Sequence, residues 1–271
     1  SNASVSDFMI VMAVTDPDAP PHRRAAMLVV PCRHPGVMLV RDVGSMHHPL
    51  PGTELMDRIG GHTEVRFENC RVPLDHMIGA PGDGFVLAQK RLGGGRIHHA
   101  MRCIGQANRA LDMMLERAVS RDTQGKPLGK HQLVQEMIAE SAAELEMTRL
   151  LVLRAAWRMD QKGGYSRDAR REIAMVKFVV PRTLLAIVDR AIQVHGALGY
   201  TTDMPLEEMY RMARALRIAD GADEVHKQTV ARELLRNVTA VTEPSEYLPA
   251  PRRRAEELFG ARVREIRAPV A

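Results

Sequence analysis

The chain is 271 residues long, 45% hydrophobic and 26% charged, the balance of a globular protein with a sizeable core. Its net charge is +5, yet Lys and Arg interleave with acids. The one basic run, Arg252-Arg253-Arg254, lacks an aromatic stacking face or zinc-finger spacing, so anionic small ligands suit the charge better than nucleic acid does. No apolar run reaches the roughly 18 residues of a membrane span. Cys32, Cys70 and Cys103 offer neither a disulfide framework nor metal-ligand spacing, so a reducing, cytoplasmic setting and no bound metal are expected.

Ser1-Asn2-Ala3 reads as an expression scar, and residues 7–75 read as strands within a partial β domain over 4–81. Asp7–Val14 and Ala26–Val30 are apolar runs with β-branched members, the second stopped by Pro31. Val37–Val40 and Val65–Phe67 are shorter, and Thr63 to Glu68 alternates apolar and charged residues as a half-buried strand does. Frequent Pro and Gly favour an antiparallel sheet over βαβ units. From residue 82 the pattern turns helical. Phe85–Ser120 is long and periodic, but Gly93-Gly94-Gly95 must either break it or admit a close neighbour, since each glycine costs roughly 1 kcal/mol against alanine. Gln132–Gln161, Ser166–His195, Leu206–Leu216 and Asp223–Val238 follow, with Gly125-Lys126-Pro127 and Gly163-Gly164 as breakers. The 17 Met residues are expected mostly in helix–helix cores. Residues 241–271, Pro- and Arg-rich, read as a loosely held tail with a short helix at Arg254–Arg267. The fold class is therefore α+β: a partial antiparallel β domain followed, over 82–240, by a C-terminal up-and-down four-helix-bundle-like domain. No GxGxxG or Walker-type loop is present, so helix ends and side chains must grip any nucleotide cofactor.

The turn Arg217 to His226 is the sharpest local feature, an acid followed by glycine between two helical segments, where a general base can sit beside a ligand. On residues alone, Arg121 is a helix C-terminal cation, Gln132 a polar residue at a helix start and His195 an interior histidine. Gly196 is a C-cap, and Asp220 is an N-cap candidate that Asp223 outranks.

Five collinear motifs add a resemblance: Gly82-Asp83-Gly84-Phe85; Arg96; Arg121-Asp122-Thr123-Gln124-Gly125-Lys126-Pro127-Leu128-Gly129-Lys130-His131-Gln132; Gln193 to Tyr200; and Asp220-Gly221. In that order and spacing, residues 7 to 238 resemble the C-terminal two-thirds of an acyl-CoA dehydrogenase. The resemblance implies FAD as cofactor, an acyl-CoA substrate, an electron-transfer flavoprotein as acceptor and a homodimer or homotetramer. It implies that Arg121 reaches the flavin pyrophosphate of a neighbouring subunit, with Gln132, Gln193, His195 and Gly196 on the adenosine side. Asp220 falls at the position of the family's base, where glutamate is usual and reaches roughly 1.5 Å further. Burial is expected to strengthen such a base. The alternative base position just before Arg96 holds Gly95. Arg96 and Gly221 fall at the substrate pocket, while Ala222 and Glu224 replace the family's flavin-contacting Thr and Gln. The family's N-terminal helical domain and early flavin-contacting strands have no counterpart before Phe8, which implies a fragment that is inactive as it stands. A nitroalkane-oxidase-like flavoenzyme with an aspartate base, and a non-catalytic oligomerising helical module, are the alternatives.

Overall fold

In a computed structural model, residues 1–46, 61–161, 169–240, 247 and 249–267 are described. Residues 1–230 form one compact unit and residues 231–271 a second. In the first unit, β1 (Phe8–Val14) pairs antiparallel with β2 (Ala25–Pro31) in a register running from Phe8 opposite Pro31 to Val14 opposite Ala25. The short β5 (Met77–Ile78) extends that sheet along β2. β3 (Val37–Val43) pairs with β4 (His62–Phe67), and an irregularity between Leu39 and Arg41 shifts the register. β3 and β4 are longer than the sequence predicts, because each continues through the polar residues that alternate with its apolar ones.

Four helices follow: α1 (Gly84–Ser120), α2 (Gln132–Gln161), α3 (Arg170–His195) and α4 (Leu206–Leu216). They pack around a shared core, and small antiparallel sheets followed by a helical bundle is the layout expected. The core is built from small residues on α1 (Ala100, Cys103, Ala107, Ala110), Val152 and Ala155 on α2, and Val180, Leu184, Ile187 and Ala191 on α3. Small side chains let α1 and α3 approach closely. The expectation for Met holds only in part: Met114 and Met209 join the core and Met113, Met137 and Met204 pack against it, but Met12, Met38, Met46, Met101 and Met147 are exposed. Alanine takes the space that Met was assigned.

The helix is not broken at Gly93-Gly94-Gly95, and of the three only Gly93 is buried against neighbours. α1 runs unbroken through them, and a Cβ added at Gly94 or Gly95 meets nothing within 4 Å. The helix tolerates them because tertiary packing, not propensity, holds so long an element. Gly84 is different, since a Cβ there would lie 2.8 Å from the Ala25 carbonyl oxygen, so the glycine lets the start of α1 sit directly on β2.

Between α1 and α2 the breaker residues form a small hairpin, β6 (Asp122–Thr123) and β7 (Lys126–Pro127), which the sequence did not predict. Gln124 and Gly125 both have positive φ, at 52° and 80°, as a two-residue turn of the I′ type needs. α3 begins at Arg170; the Ser166 start and the Gly163-Gly164 breaker fall outside the described residues. α5 (Asp223–Leu235) is three residues shorter than expected, and α6 (Ala250–Arg267) begins four residues earlier than expected. No helix among the described residues is long and apolar enough to cross a membrane.

Candidate active site

The turn that links α4 to α5 is held by buried cations acting on backbone carbonyls. Arg96, on the first third of α1, donates from Nε (3.2 Å) and Nη2 (3.1 Å) to the Asp220 carbonyl. Lys177, on α3, donates from Nζ to the carbonyls of Leu216 (2.7 Å) and Gly221 (3.2 Å). Leu216 is the last residue of α4, so Lys177 also neutralises the negative end of that helix. The backbone between these anchors is unusual: Asp220 has φ 56° and Gly221 φ 109°. The left-handed region costs a non-glycine residue of order 1–2 kcal/mol and persists where the surroundings over-determine it. A Cβ on Gly221 would lie 2.8 Å from His226 Nε2, so glycine makes room for that ring.

Asp223 does not cap α5, contrary to the sequence reading. Its Oδ2 accepts from Arg217 Nε at 2.9 Å, and the Ala222 carbonyl accepts the first helical hydrogen bonds, from Val225 and His226. Asp223 is 1% exposed, and the ion pair is what makes that burial tolerable. With Ala222 as the first helical acceptor, Asp220 lies two residues before the cap position and has no capping duty either.

The Asp220 carboxylate faces α1, where its Oδ2 lies 3.2 Å from His99 Nε2. His99 Nδ1 in turn meets the Arg102 guanidinium. Burial pushes the His99 imidazole below its ordinary value, aided by Arg102 and opposed by Asp220. Burial also lowers Lys177, with Asp223 and Asp220 opposing. His226, 6% exposed, is the most shifted, pushed down to about 4 by burial and then by Arg96. The folded protein therefore keeps His226 neutral while the unfolded chain takes up a proton near 6.5. Between those values the unfolded state binds more protons, so stability present above the ordinary value is lost as pH falls through the window, by up to about 3 kcal/mol. His226→Gln flattens this slope. Urea unfolding at intervals from neutral pH to about 4 measures it, and parallel slopes for variant and wild type would refute it.

Arg96 and His226 also line an open cleft of about 610 Å³, with Phe85, Lys90, Ile173 and Val225 around them. The structure thus gathers Arg96, Asp220, Gly221, Ala222 and Glu224 at one end of the bundle, with Glu224 exposed and Ala222 half-buried.

Arg121, Gln132, Gln193, His195 and Gly196 lie at the other end. Arg121 follows the last turn of α1, Gln132 opens α2, and Gln193, His195 and Gly196 close α3. Arg121, Gln132 and Gln193 are exposed. His195 is buried and its Nδ1 bonds the Ala191 carbonyl at 2.8 Å, as an interior histidine does. Its ring still borders a cleft of about 180 Å³ with Arg117, Ser120 and Met204. Arg117 Nε is buried there without a hydrogen-bond partner among the described residues. Gly196 has φ 64°, and a Cβ on it would meet nothing within 4 Å, so its backbone is open to a ligand. The 25 residues of α1 between Arg96 and Arg121 separate the two ends by about 37 Å. One ligand cannot touch both ends of one chain.

Sequence reasoning missed His99, Lys177 and Arg217. Lys177 carried a signal: it falls on the Ile173, Val180, Leu184 stripe of α3, where a charge is out of place without a partner. His99 carried a weaker one, lying one turn after Arg96 on α1. Arg217 carried none, since its partner is fixed only by the turn.

The family profile for the acyl-CoA dehydrogenase C-terminal domain matches residues 82–235. The acyl-CoA dehydrogenase FadE2 of Mycobacterium tuberculosis is 46% identical over 225 residues, which cover 83% of this chain and 53% of that protein. A solved structure assigned to an acyl-CoA dehydrogenase of Mycobacterium abscessus superposes with TM-score 0.79 at 41% identity, covering 86% of this chain and 55% of that one. PigA, solved with FAD and proline, superposes with TM-score 0.76 at 26% identity, covering 87% of this chain and 58% of PigA. The chain spans 21% of one curated relative and 53% of another.

Proposed function

This chain belongs to the acyl-CoA dehydrogenase family, and from that premise we propose that it carries the base and half of each flavin cradle of an FAD-dependent acyl-CoA dehydrogenase. The reaction is α,β-desaturation of an acyl-CoA thioester. Bound FAD supplies the acceptor for the β-hydride. This chain's own residues handle the proton: Asp220 takes the α-proton, and Arg96 and Lys177 hold the loop on which Asp220 stands. The observation that carries this reading is that Asp220 stays in a strained left-handed conformation with its carbonyl clamped by Arg96, 124 residues away in sequence. Strain maintained by dedicated buried contacts is characteristic of functional loops.

The residues at the far end fit a flavin. Arg121 offers a free-standing guanidinium for a pyrophosphate, and Arg117 Nε, orphaned in the neighbouring cleft, is a donor awaiting an acceptor. Gln132 and Gln193 present amides to solvent, and Gly196 offers open backbone. At the near end Glu224 gives only acceptors where an amide would also donate, so this branch holds its flavin with fewer donors there. Because about 37 Å separates the ends, each flavin would be shared between two copies of the chain. The outer face of α2 supports assembly: Met147, Leu150, Leu153 and Trp157, on successive turns, are 48% to 64% exposed. A homodimer or homotetramer and an electron-transfer flavoprotein as electron acceptor complete the proposal.

The test is the visible spectrum of the pure chain after incubation with FAD and desalting, followed by acyl-CoA titration under anaerobic conditions. Retained flavin that bleaches on titration is the expected result. Stoichiometric flavin that no acyl-CoA bleaches would overturn the dehydrogenase reading.

A further inference from the structure

The two oxygens of the Asp220 carboxylate have unequal surroundings. The side chain is 20% exposed, yet Oδ2 is shut off from water and has no bond of good hydrogen-bond geometry among the described residues. An ionised oxygen so placed needs a facing donor, or the charge is costly. The polar atom facing it is His99 Nε2 at 3.2 Å, close enough for an N–H···O bond once the angle closes, as contacts at catalytic centres do on ligand binding. The other ring nitrogen decides what Nε2 can do. His99 Nδ1 is met by the Arg102 guanidinium, which has only donors, so Nδ1 accepts and carries no proton. In the neutral ring the proton then resides on Nε2, aimed at the carboxylate.

The helix supplies this geometry. Arg96 and His99 are three residues apart on α1, one above the other on a single face. Arg96 grips the Asp220 carbonyl and His99 faces its carboxylate, so one turn of α1 addresses both polar ends of the residue. The charged and titratable groups around His99 are Arg102, His98 and Arg96 on α1, Lys177 on α3, and Asp220 itself. All but Asp220 are cationic or weakly basic, and with burial they disfavour an imidazolium.

We propose that His99 is a positioning residue for the base: its Nε2–H holds Asp220 Oδ2, gives that enclosed oxygen its facing donor, and leaves Oδ1 as the atom that receives the substrate's α-proton. This rests on Asp220 being the base, and it extends that reading from the residue to the atom.

Two measurements test it. In the FAD-loaded protein, His99→Leu slows flavin reduction by acyl-CoA about 100-fold and moves the acid limb of its pH profile upward. His99→Gln, whose side-chain amide can still donate, restores the rate to within about tenfold and returns the profile. If His99 only filled space, both variants would lose rate alike with an unchanged profile, and the proposal would fail. Independently of flavin, nitrogen-15 NMR of histidine-labelled wild type reads the tautomer directly. A neutral Nε2–H ring that stays neutral below the ordinary histidine range supports the proposal, and an Nδ1–H ring overturns it. Asp220→Asn separates the two levels. A dead Asp220→Asn beside an unimpaired His99→Leu sinks the role of His99 alone, whereas an active Asp220→Asn removes the base assignment and the proposal with it.

Discussion

Asp220→Asn lowers the rate of flavin reduction by an acyl-CoA about 1,000-fold or more and leaves the fold in place. The magnitude is that of losing a general base whose proton transfer is part of the chemical step. Asparagine is the informative substitution because the site makes conformational demands that most residues fail. Asp220 has φ 56°, and Asn and Asp occupy that region more readily than other L-residues. The contacts holding the turn run through the main chain, from Arg96 to the Asp220 carbonyl and from Lys177 to the Gly221 carbonyl, so they survive the change. Asp220→Ala would confound lost chemistry with roughly 1 kcal/mol or more of backbone strain. Asp220→Glu restores the usual family residue and adds roughly 1.5 Å of reach. In this turn it must displace its carboxylate from His99, so it is expected to retain partial activity rather than exceed the wild type. Stopped-flow reduction of the FAD-loaded protein under anaerobic conditions gives the rate. A variant within about tenfold of the wild type, with flavin bound, would remove Asp220 from the mechanism.

What the sequence makes legible here is periodic or local. The bundle helices follow from apolar spacing, and their ends from Gly125, Gly196 and the α4–α5 turn, because caps and breakers act over a few residues. The chemistry-bearing positions are legible only as motifs in order, and the turn Asp220-Gly221 is the clearest of them. Three kinds of information are not local. The Gly93-Gly94-Gly95 run reads as a break or a packing point and is no break, since tertiary contacts along a 37-residue helix outweigh three poor helix formers, and only Gly93 is buried. The β6–β7 hairpin is hidden in a motif that reads simply as a helix breaker, because a two-residue turn with Gln at a positive φ carries a weak signal. Most consequentially, the partners of the Asp220-Gly221 turn come from α1 and α3. His99 is 121 positions away and Lys177 is 43, and only the fold brings them to the turn. Asp223 shows the same limit, reading as a cap in sequence and serving as the buried mate of Arg217 in the structure.

Lys177→Met costs about 3–5 kcal/mol of stability, the largest effect expected of any single substitution outside the hydrophobic core. Met matches the length and most of the volume of Lys, so the packing against Val176, Pro181 and Cys103 is kept and the loss is of charge and donors. Three consequences act together. The Leu216 and Gly221 carbonyls lose their shared donor at 2.7 and 3.2 Å. The C-terminus of α4 loses the cation that offsets its dipole. Asp220 and Asp223 lose the neighbouring positive charge that each also acts on, at a site too buried for water to substitute. Lys177→Arg retains the charge but must fit a guanidinium where the adjoining cavity is only about 10 Å³, so it is destabilising by overpacking, by roughly 1–3 kcal/mol. Thermal unfolding should therefore rank wild type above Arg above Met, with Met lower than wild type by roughly 10 °C. Limited proteolysis in the Arg217–Ala222 turn should rise in the same order, because the clamp and the turn are one device. A Met variant that melts with the wild type would mean that Arg96 alone holds the turn and that Lys177 is no part of the clamp.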